Sequence, residues 1–341
     1  MAMRIPDRMT AVEISEPGGP EVLRLAKRPV PVAGAGEVLI RVCAAGLNGA
    51  DLSQRRGAYP MPPGVTDIPG IEASGIVVAL GSGVDRFSAG DEVCALLAGG
   101  GYAEYVTAPA GQCMPVPPRV SLRDAGGLPE AFCTAWTNLI ERGALKAGET
   151  ALIQGGTSGI GHAAIMVARA FGATVLATAR TAEKCRAMER FGVDRAINYT
   201  VEDFQAVARD FTGGRGVDVI LDIVGGPYIP KEMELLAFGG RLVFVNLRAG
   251  RIVEADFGLI HSKHLVLTGS RLRPRSVAEK GDICRALEAR VWPLFANGAI
   301  RSETYRSFPL GEAAEAHRLM ESSEHIGKIL LTARGRESLP G

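Results

Sequence analysis

From residue 9 to about residue 119 the apolar residues come in short runs broken by glycine and proline. They stand at 37–43, 75–80, 91–94 and 103–107, after a first strand that begins near Met9. Short strands separated by turn residues predict a compact, mainly antiparallel barrel. From residue 150 the texture changes. Apolar strand candidates at 150–154, 174–179, 195–199, 217–224, 241–246 and 265–270 are mostly separated by helical stretches, clearest at 162–171, 182–191 and 201–211. Strand and helix in alternation predict a doubly wound α/β layer, a parallel sheet with helices on both faces. The remainder predicts a helix at 276–295, a strand at 305–309, an amphipathic helix at 312–321 and a strand at 328–332. That tail is too short to build a robust core alone and is expected to rejoin the barrel. Two domains are therefore expected, one of residues 1–126 with 273–341, the other of residues 127–272 inserted into it.

The first α/β strand breaks into Gln154-Gly-Gly-Thr-Ser-Gly-Ile-Gly161 and then into small, helix-compatible residues. A strand that turns sharply into a helix presents free N–H groups and a positive dipole end to an anion, and small residues let that anion approach. Gly156, Ser158, Gly159, Ile160 and Gly161 are the expected cradle of a dinucleotide pyrophosphate. The fingerprint G-x-G-x-x-G is incomplete, because Ser158 holds the middle glycine's place, and its hydroxyl is expected to bond a phosphate. At the tip of the second strand stand Arg180 and, one turn into the next helix, Lys184. Cations there suit the 2′-phosphate of NADPH, whereas a carboxylate would suit the free 2′-hydroxyl of NADH. NADPH is the expected cofactor. The alternative is a solvated basic corner, and Glu183 is compatible with a helix first turn.

Composition narrows the classes. The chain has 341 residues, 47% of them hydrophobic, and a formal net charge of +1 with both signs interspersed, so a nucleic-acid partner is not expected. No apolar run approaches the roughly 20 residues needed to cross a bilayer, and no signal-peptide core opens the chain, so a cytoplasmic protein with no membrane partner is expected. The six cysteines include no C-x-x-C pair and read as reduced thiols. The five histidines form no ligand set, and the glycine turn does not make a G-x-S-x-G nucleophile elbow in frame.

Several motifs together carry a resemblance: Pro17-Gly-Gly-Pro-Glu-Val-Leu23, Gly46-Leu-Asn-Gly-Ala-Asp51, Gly57-Ala-Tyr-Pro60, Gly70-Ile-Glu-Ala-Ser-Gly75, Leu128-Pro-Glu-Ala131, Asp222-Ile-Val-Gly-Gly226 and His325-Ile-Gly-Lys-Ile329. Over residues 9–331 the chain resembles the zinc-independent quinone oxidoreductases of the medium-chain dehydrogenase/reductase superfamily. Residues 67–75 and 99–110 are similar to its stress-inducible quinone reductases. The resemblance implies a Rossmann domain inserted in a GroES-like, mainly antiparallel β-barrel catalytic domain, and a homodimer built through edge strands of the former. It implies that Asn48 lies by the nicotinamide and its ribose, that Asp51 orders that loop, and that Tyr59 faces the cleft between the domains. There Tyr59 would bind cofactor or donate a proton, with a packing role as the alternative. It places Tyr199 beside the adenosine end and Asn246 near the nicotinamide half, with Val224 and Lys328 also at the cofactor, although Lys328 also reads as a solvated lysine. Zinc-dependent relatives carry Cys and His where this chain has Asn48 and Ile71, and a structural zinc lobe would need four close cysteines where only Cys94 and Cys113 occur. No metal is expected. The implied activity is hydride transfer from NADPH to a quinone; the alternatives are an enoyl-thioester or enone reductase using NADPH, and a non-catalytic NADPH-binding sensor. A short-chain dehydrogenase is disfavoured, because Tyr228 and Lys231 lack the Tyr-x-x-x-Lys spacing.

Overall fold

The computed structural model describes residues 4–333. The chain divides into two compact units, one running to Ala131 and resuming at Leu272, the other Phe132–Arg271.

The first unit opens with β1 (Arg8–Ile14) and β2 (Leu23–Pro29), an antiparallel hairpin. Then come β3 (Glu37–Gly46), α1 (Gly49–Arg55), β4 (Glu72–Leu80), β5 (Glu92–Leu96), β6 (Tyr105–Pro109), β7 (Cys113–Pro115) and the short α2 (Leu122–Ala125). β3 is the central strand, antiparallel to β4 and to β6. Val38, Ile40 and Val42 on β3 are buried with Val77 of β4, Val93 and Ala95 of β5 and Val106 of β6, so the strands close on a common core.

α3 (Pro129–Ala135) leads into the second unit and continues as a π-helical stretch, Trp136–Arg142. Strands and helices then alternate: β8 (Thr150–Ile153), α4 (Gly159–Ala170), β9 (Thr174–Ala179), α5 (Ala182–Arg190), β10 (Arg195–Asn198), α6 (Phe204–Phe211), β11 (Val217–Asp222), α7 (Tyr228–Leu235), β12 (Leu236–Phe244), α8 (Gly258–Lys263) and β13 (Val266–Gly269). All pairings are parallel and the order is β10-β9-β8-β11-β12-β13. The order reverses beside β8, the switch point at which doubly wound sheets bind dinucleotides. The predicted α/β class is the observed one.

The tail forms α9 (Val277–Arg290), α10 (Trp292–Ala296), β14 (Thr304–Pro309), α11 (Ala313–Ser322) and β15 (Lys328–Thr332). β15 pairs antiparallel with β3 and parallel with β14, so the tail joins the first unit's sheet. The single helix expected at 276–295 is instead two. Pro293 lacks an N–H and sits in the first turn of α10, and the break falls at Val291. β2, α1 and α7 were not expected. β2 alternates charged residues with an exposed Leu25, α1 is seven residues long, and α7 carries Pro230 in its first turn. Among the described residues no helix is long and apolar enough to cross a membrane.

Gly161 is where helix α4 crosses the turn that feeds it. A Cβ there would stand 2.3 Å from the Gly155 carbonyl oxygen and 2.8 Å from the Gly156 Cα, backbone atoms with no room to yield. Gly161→Ala should therefore lose about 1–3 kcal/mol in urea denaturation. Gly49→Ala, with nothing within 4 Å of its Cβ position, should hold or gain up to ~1 kcal/mol. Equal stabilities would refute the close approach.

Candidate functional site

In the second unit the residues singled out from the sequence gather at the carboxyl ends of the strands. Gly155 takes a left-handed φ of +69° directly after β8, and Ser158 is the N-cap of α4. The Ser158 hydroxyl accepts from the Gly161 N–H at 3.0 Å and donates to the Gly155 carbonyl at 2.9 Å, so here it serves as a helix cap. Gly159 and Ile160 are the first helical residues, whose N–H groups have no intrahelical acceptor. Those two amides are the kind of donor a pyrophosphate needs, while Gly155, Gly156 and Gly161 are required by the turn's own packing, since a Cβ there would meet Ile223, Met188 or the Gly155 carbonyl oxygen. Arg180 follows β9 and is exposed, Lys184 lies in the first turn of α5, and Tyr199 follows β10. Val224 follows β11, and Asn246 follows β12 at the surface. These positions could hold a dinucleotide along one sheet edge.

Beneath the turn runs a buried polar chain that sequence reasoning missed. Thr178 donates to the Gln154 amide oxygen at 2.7 Å and accepts the Gly155 N–H at 3.1 Å, while Gln154 donates to Glu232 at 2.9 Å. Asp222 accepts the N–H groups of Val224 at 2.6 Å and Gly225 at 3.0 Å. Burial, and then the Asp222 carboxylate, push the Glu232 carboxyl well above its usual range. This chain fixes both the glycine turn and the loop after β11.

In the first unit Asn48, Asp51 and Lys328 come together around a residue not singled out alone, Glu72. Lys328 Nζ donates to Glu72 Oε1 at 2.5 Å, to the Asn48 amide oxygen at 2.9 Å and to the Leu47 carbonyl at 2.9 Å. Asn48 Nδ2 donates to the same Glu72 oxygen at 2.9 Å, and the Glu130 N–H donates to the other at 2.9 Å. Lys328 is buried, which removes the solvated alternative. Asp51 lies one step away. Its carboxylate accepts from the Asn48 N–H at 2.9 Å, the Gly70 N–H at 3.2 Å and the Tyr102 hydroxyl at 3.2 Å. Burial raises the Asp51 carboxyl to about 6, against the pull of those hydrogen bonds. Behind Tyr102 stands His317, with Nε2 at 3.4 Å from the tyrosine hydroxyl and Nδ1 at 3.2 Å from Arg55 Nη1. Arg55 can only donate, so Nδ1 is the acceptor and Nε2 carries the proton toward Tyr102. Burial, and then the Arg55 charge, lower His317 to about 3. The sequence gives no sign of this role, since His317 looks like any residue of an amphipathic helix. Tyr59 is half-buried in the stretch after α1, its ring under the Arg273 guanidinium.

The alcohol dehydrogenase GroES-like domain model matches residues 34–118 and the zinc-binding dehydrogenase model residues 159–287. The quinone oxidoreductase of Rattus norvegicus is 31% identical over 326 residues, 95% of this chain and 97% of that one. The chain belongs to the medium-chain dehydrogenase/reductase superfamily. A mycobacterial protein solved in complex with NADPH superposes with a TM-score of 0.85 at 31% identity, covering 95% of this chain and 99% of that one. The CurK enoyl reductase superposes with a TM-score of 0.85 at 26% identity, covering 96% and 99%. This member of the superfamily is an NAD(P)H-dependent oxidoreductase. A zinc ion does not fit the residues at Asn48, Ile71 and Glu72. The Asn48 amide and the Glu72 carboxylate are already engaged by an ammonium, which would repel a dication, and Ile71 offers no donor. Among the described residues no group of three or more His, Cys, Asp or Glu could hold a metal.

Asp51 and His317 titrate with opposite effects on stability. The folded His317 resists a proton that the unfolded chain takes up below pH 6.5, so acidification from 6.5 toward 3 costs about 1.4 kcal/mol per pH unit. The folded Asp51 keeps its proton up to about pH 6, whereas the unfolded one loses it near 3.8, so acidification through that window gains a similar amount. Between pH 6 and 4 the two slopes offset each other. In urea titrations across that window, where the native chain should hold nearly level, Asp51→Asn should therefore lose stability on acidification and His317→Gln should gain it. Superimposable slopes for all three proteins would contradict both assignments.

Proposed function

We propose that this medium-chain reductase transfers a hydride from NADPH to a quinone without a metal. The observation that carries the reading is the Lys328 ammonium bonded to Asn48 and Glu72, a cation of the chain's own where zinc-dependent relatives hold theirs. Without a Lewis acid an alkoxide is poorly stabilised and alcohol oxidation is hard, whereas a quinone is already a good hydride acceptor. The likeness to the rat quinone oxidoreductase along the full length supports the same acceptor.

When bound, NADPH supplies the hydride. The Gly159 and Ile160 N–H groups would bind the pyrophosphate, with Gly156, Ser158 and Gly161 shaping the turn around it, and Arg180 and Lys184 would bind the 2′-phosphate. Tyr199 flanks the adenosine, and Val224 and Asn246 flank the nicotinamide half. Asp51 and Lys328 hold the loop bearing Asn48, which faces the nicotinamide ribose. The Tyr59 hydroxyl passes a proton from solvent to the reduced oxygen, completing the two-electron reduction to a hydroquinone. In this reading the Phe132–Arg271 unit binds the dinucleotide, the other unit binds the acceptor, and the chain is a homodimer through the sheet edge at β13.

The likeness to an enoyl reductase favours one second reading, reduction of an enoyl thioester. NADPH consumption with 1,4-naphthoquinone and none with crotonyl thioester supports the quinone; the reverse result replaces it with the thioester. Tight NADPH binding with turnover of neither acceptor would leave a sensor. The cofactor assignment has its own check. Replacing both Arg180 and Lys184 by alanine should weaken NADPH binding by at least roughly ten-fold to hundred-fold, the loss expected from even one charge-assisted hydrogen bond of about 1.5–3 kcal/mol. NADH binding should barely change, and equal losses in calorimetry would reject the two residues as phosphate readers.

A further inference from the structure

The first unit contains a buried cation that the reading above leaves unused. Arg273 is 4% exposed. Its Nε donates to the Ala98 carbonyl oxygen at 2.7 Å and its Nη2 to the Gln54 amide oxygen at 2.8 Å, beside the Met61 thioether. Nη1 is buried and has no hydrogen-bond partner. The guanidinium carbon stands 5.1 Å from the centroid of the Tyr59 ring. Its oxygen acceptors are both neutral, and among the described residues no carboxylate pairs with it. Asp51 and Glu130 act on it only at longer range, and the Asp51 carboxylate is already turned to Asn48, Gly70 and Tyr102.

Burying a full charge without a counter-ion is expensive, and arginine does not escape the cost by losing its proton. Gln54 from α1 and Ala98 from beyond β5 hold the guanidinium plane in place, so Nη1 has a fixed direction rather than a swinging one. A fixed, desolvated guanidinium edge matches a planar oxyanion better than any neutral group. It lies beside the aromatic ring to which the proposed mechanism assigns the acceptor's proton.

We propose that Arg273 is a specificity-determining residue whose Nη1 edge binds the carboxylate of an anionic, electron-poor acceptor beside Tyr59. The inference rests on the acceptor-reductase reading and narrows its substrate class to acceptors that carry a negative charge. The test compares 1,4-naphthoquinone with its 2-carboxylate on the full-length enzyme with NADPH, and titrates 2-naphthoate into the NADP⁺-loaded enzyme by calorimetry. The native enzyme should show a KM at least about ten-fold lower for the carboxylate, the size of one charge-assisted hydrogen bond. Arg273→Met should abolish that preference through KM, leave kcat and the neutral quinone little changed, and remove naphthoate binding. Arg273→Lys, which keeps the charge but not the fork, should recover part of both, and Arg273→Gln serves if the methionine variant does not fold. Equal losses on both acceptors in every folded variant, or a native enzyme indifferent to the carboxylate, overturn the proposal and leave Arg273 as a brace between Gln54 and Ala98. Naphthoate binding that depends on Arg273, in an enzyme that turns over no quinone, keeps the anion site and removes the quinone reading. Quinone turnover without such binding does the opposite.

Discussion

Three distant stretches of chain close on the carboxylate of Glu72. Lys328 arrives from β15, Asn48 from the start of α1, and the Glu130 N–H from the start of α3. A carboxylate and an ammonium taken this far from water recover their hydration only through mutual contact and a full set of hydrogen bonds. Removing one member of such a pair typically costs about 3–5 kcal/mol, because the other is left charged and buried. The arrangement therefore makes the loop after β3, the final strand and the entry to the second unit depend on one another. It also decides the chemistry available at Asn48, since an amide engaged on both sides by fixed charges cannot serve as a metal donor.

A related device recurs in each unit. Asp51 turns its carboxylate to the N–H groups of Asn48 and Gly70, and Asp222 turns its own to those of Val224 and Gly225. Both carboxylates are buried, both hold a loop at a candidate site by its backbone, and both have proton affinities raised by the same loss of hydration. Behind each carboxylate lies a further buried group, Tyr102 with His317 in one unit and Glu232 with Gln154 in the other, which fixes its orientation.

The parts of the structure legible beforehand were those set by near neighbours. Alternation of apolar strands and helices marked the parallel sheet, and the glycine-rich junction after β8 marked its switch point, because a tight turn into a helix needs small residues within a few positions. Arg180, Lys184, Tyr199, Val224 and Asn246 follow strand ends, and strand ends are visible wherever an apolar run stops. The pattern failed where propensity and tertiary context disagree. The apolar periodicity of 276–295 continues across Pro293, but the backbone hydrogen bonding cannot, and α1 is too short for periodicity to register.

Fold class, the strands of the parallel sheet and the glycine-rich turn at its switch point were determined by the sequence alone, since each follows from burial of one face or from a local backbone requirement. The polar clusters were decided only by the tertiary structure. Lys328 meets Glu72 and Asn48 because β15 pairs with β3 in the register that sets Leu330 opposite Gly46. A slip of one residue would turn every side chain of that strand to its other face. The partners of Lys328 lie 256 and 280 positions away, and Arg55 and His317 are 262 apart. No periodicity reaches across such distances. Apolar residues need only an inside, whereas a buried charge needs a particular partner, and which partner it meets is fixed by strand register and chain path.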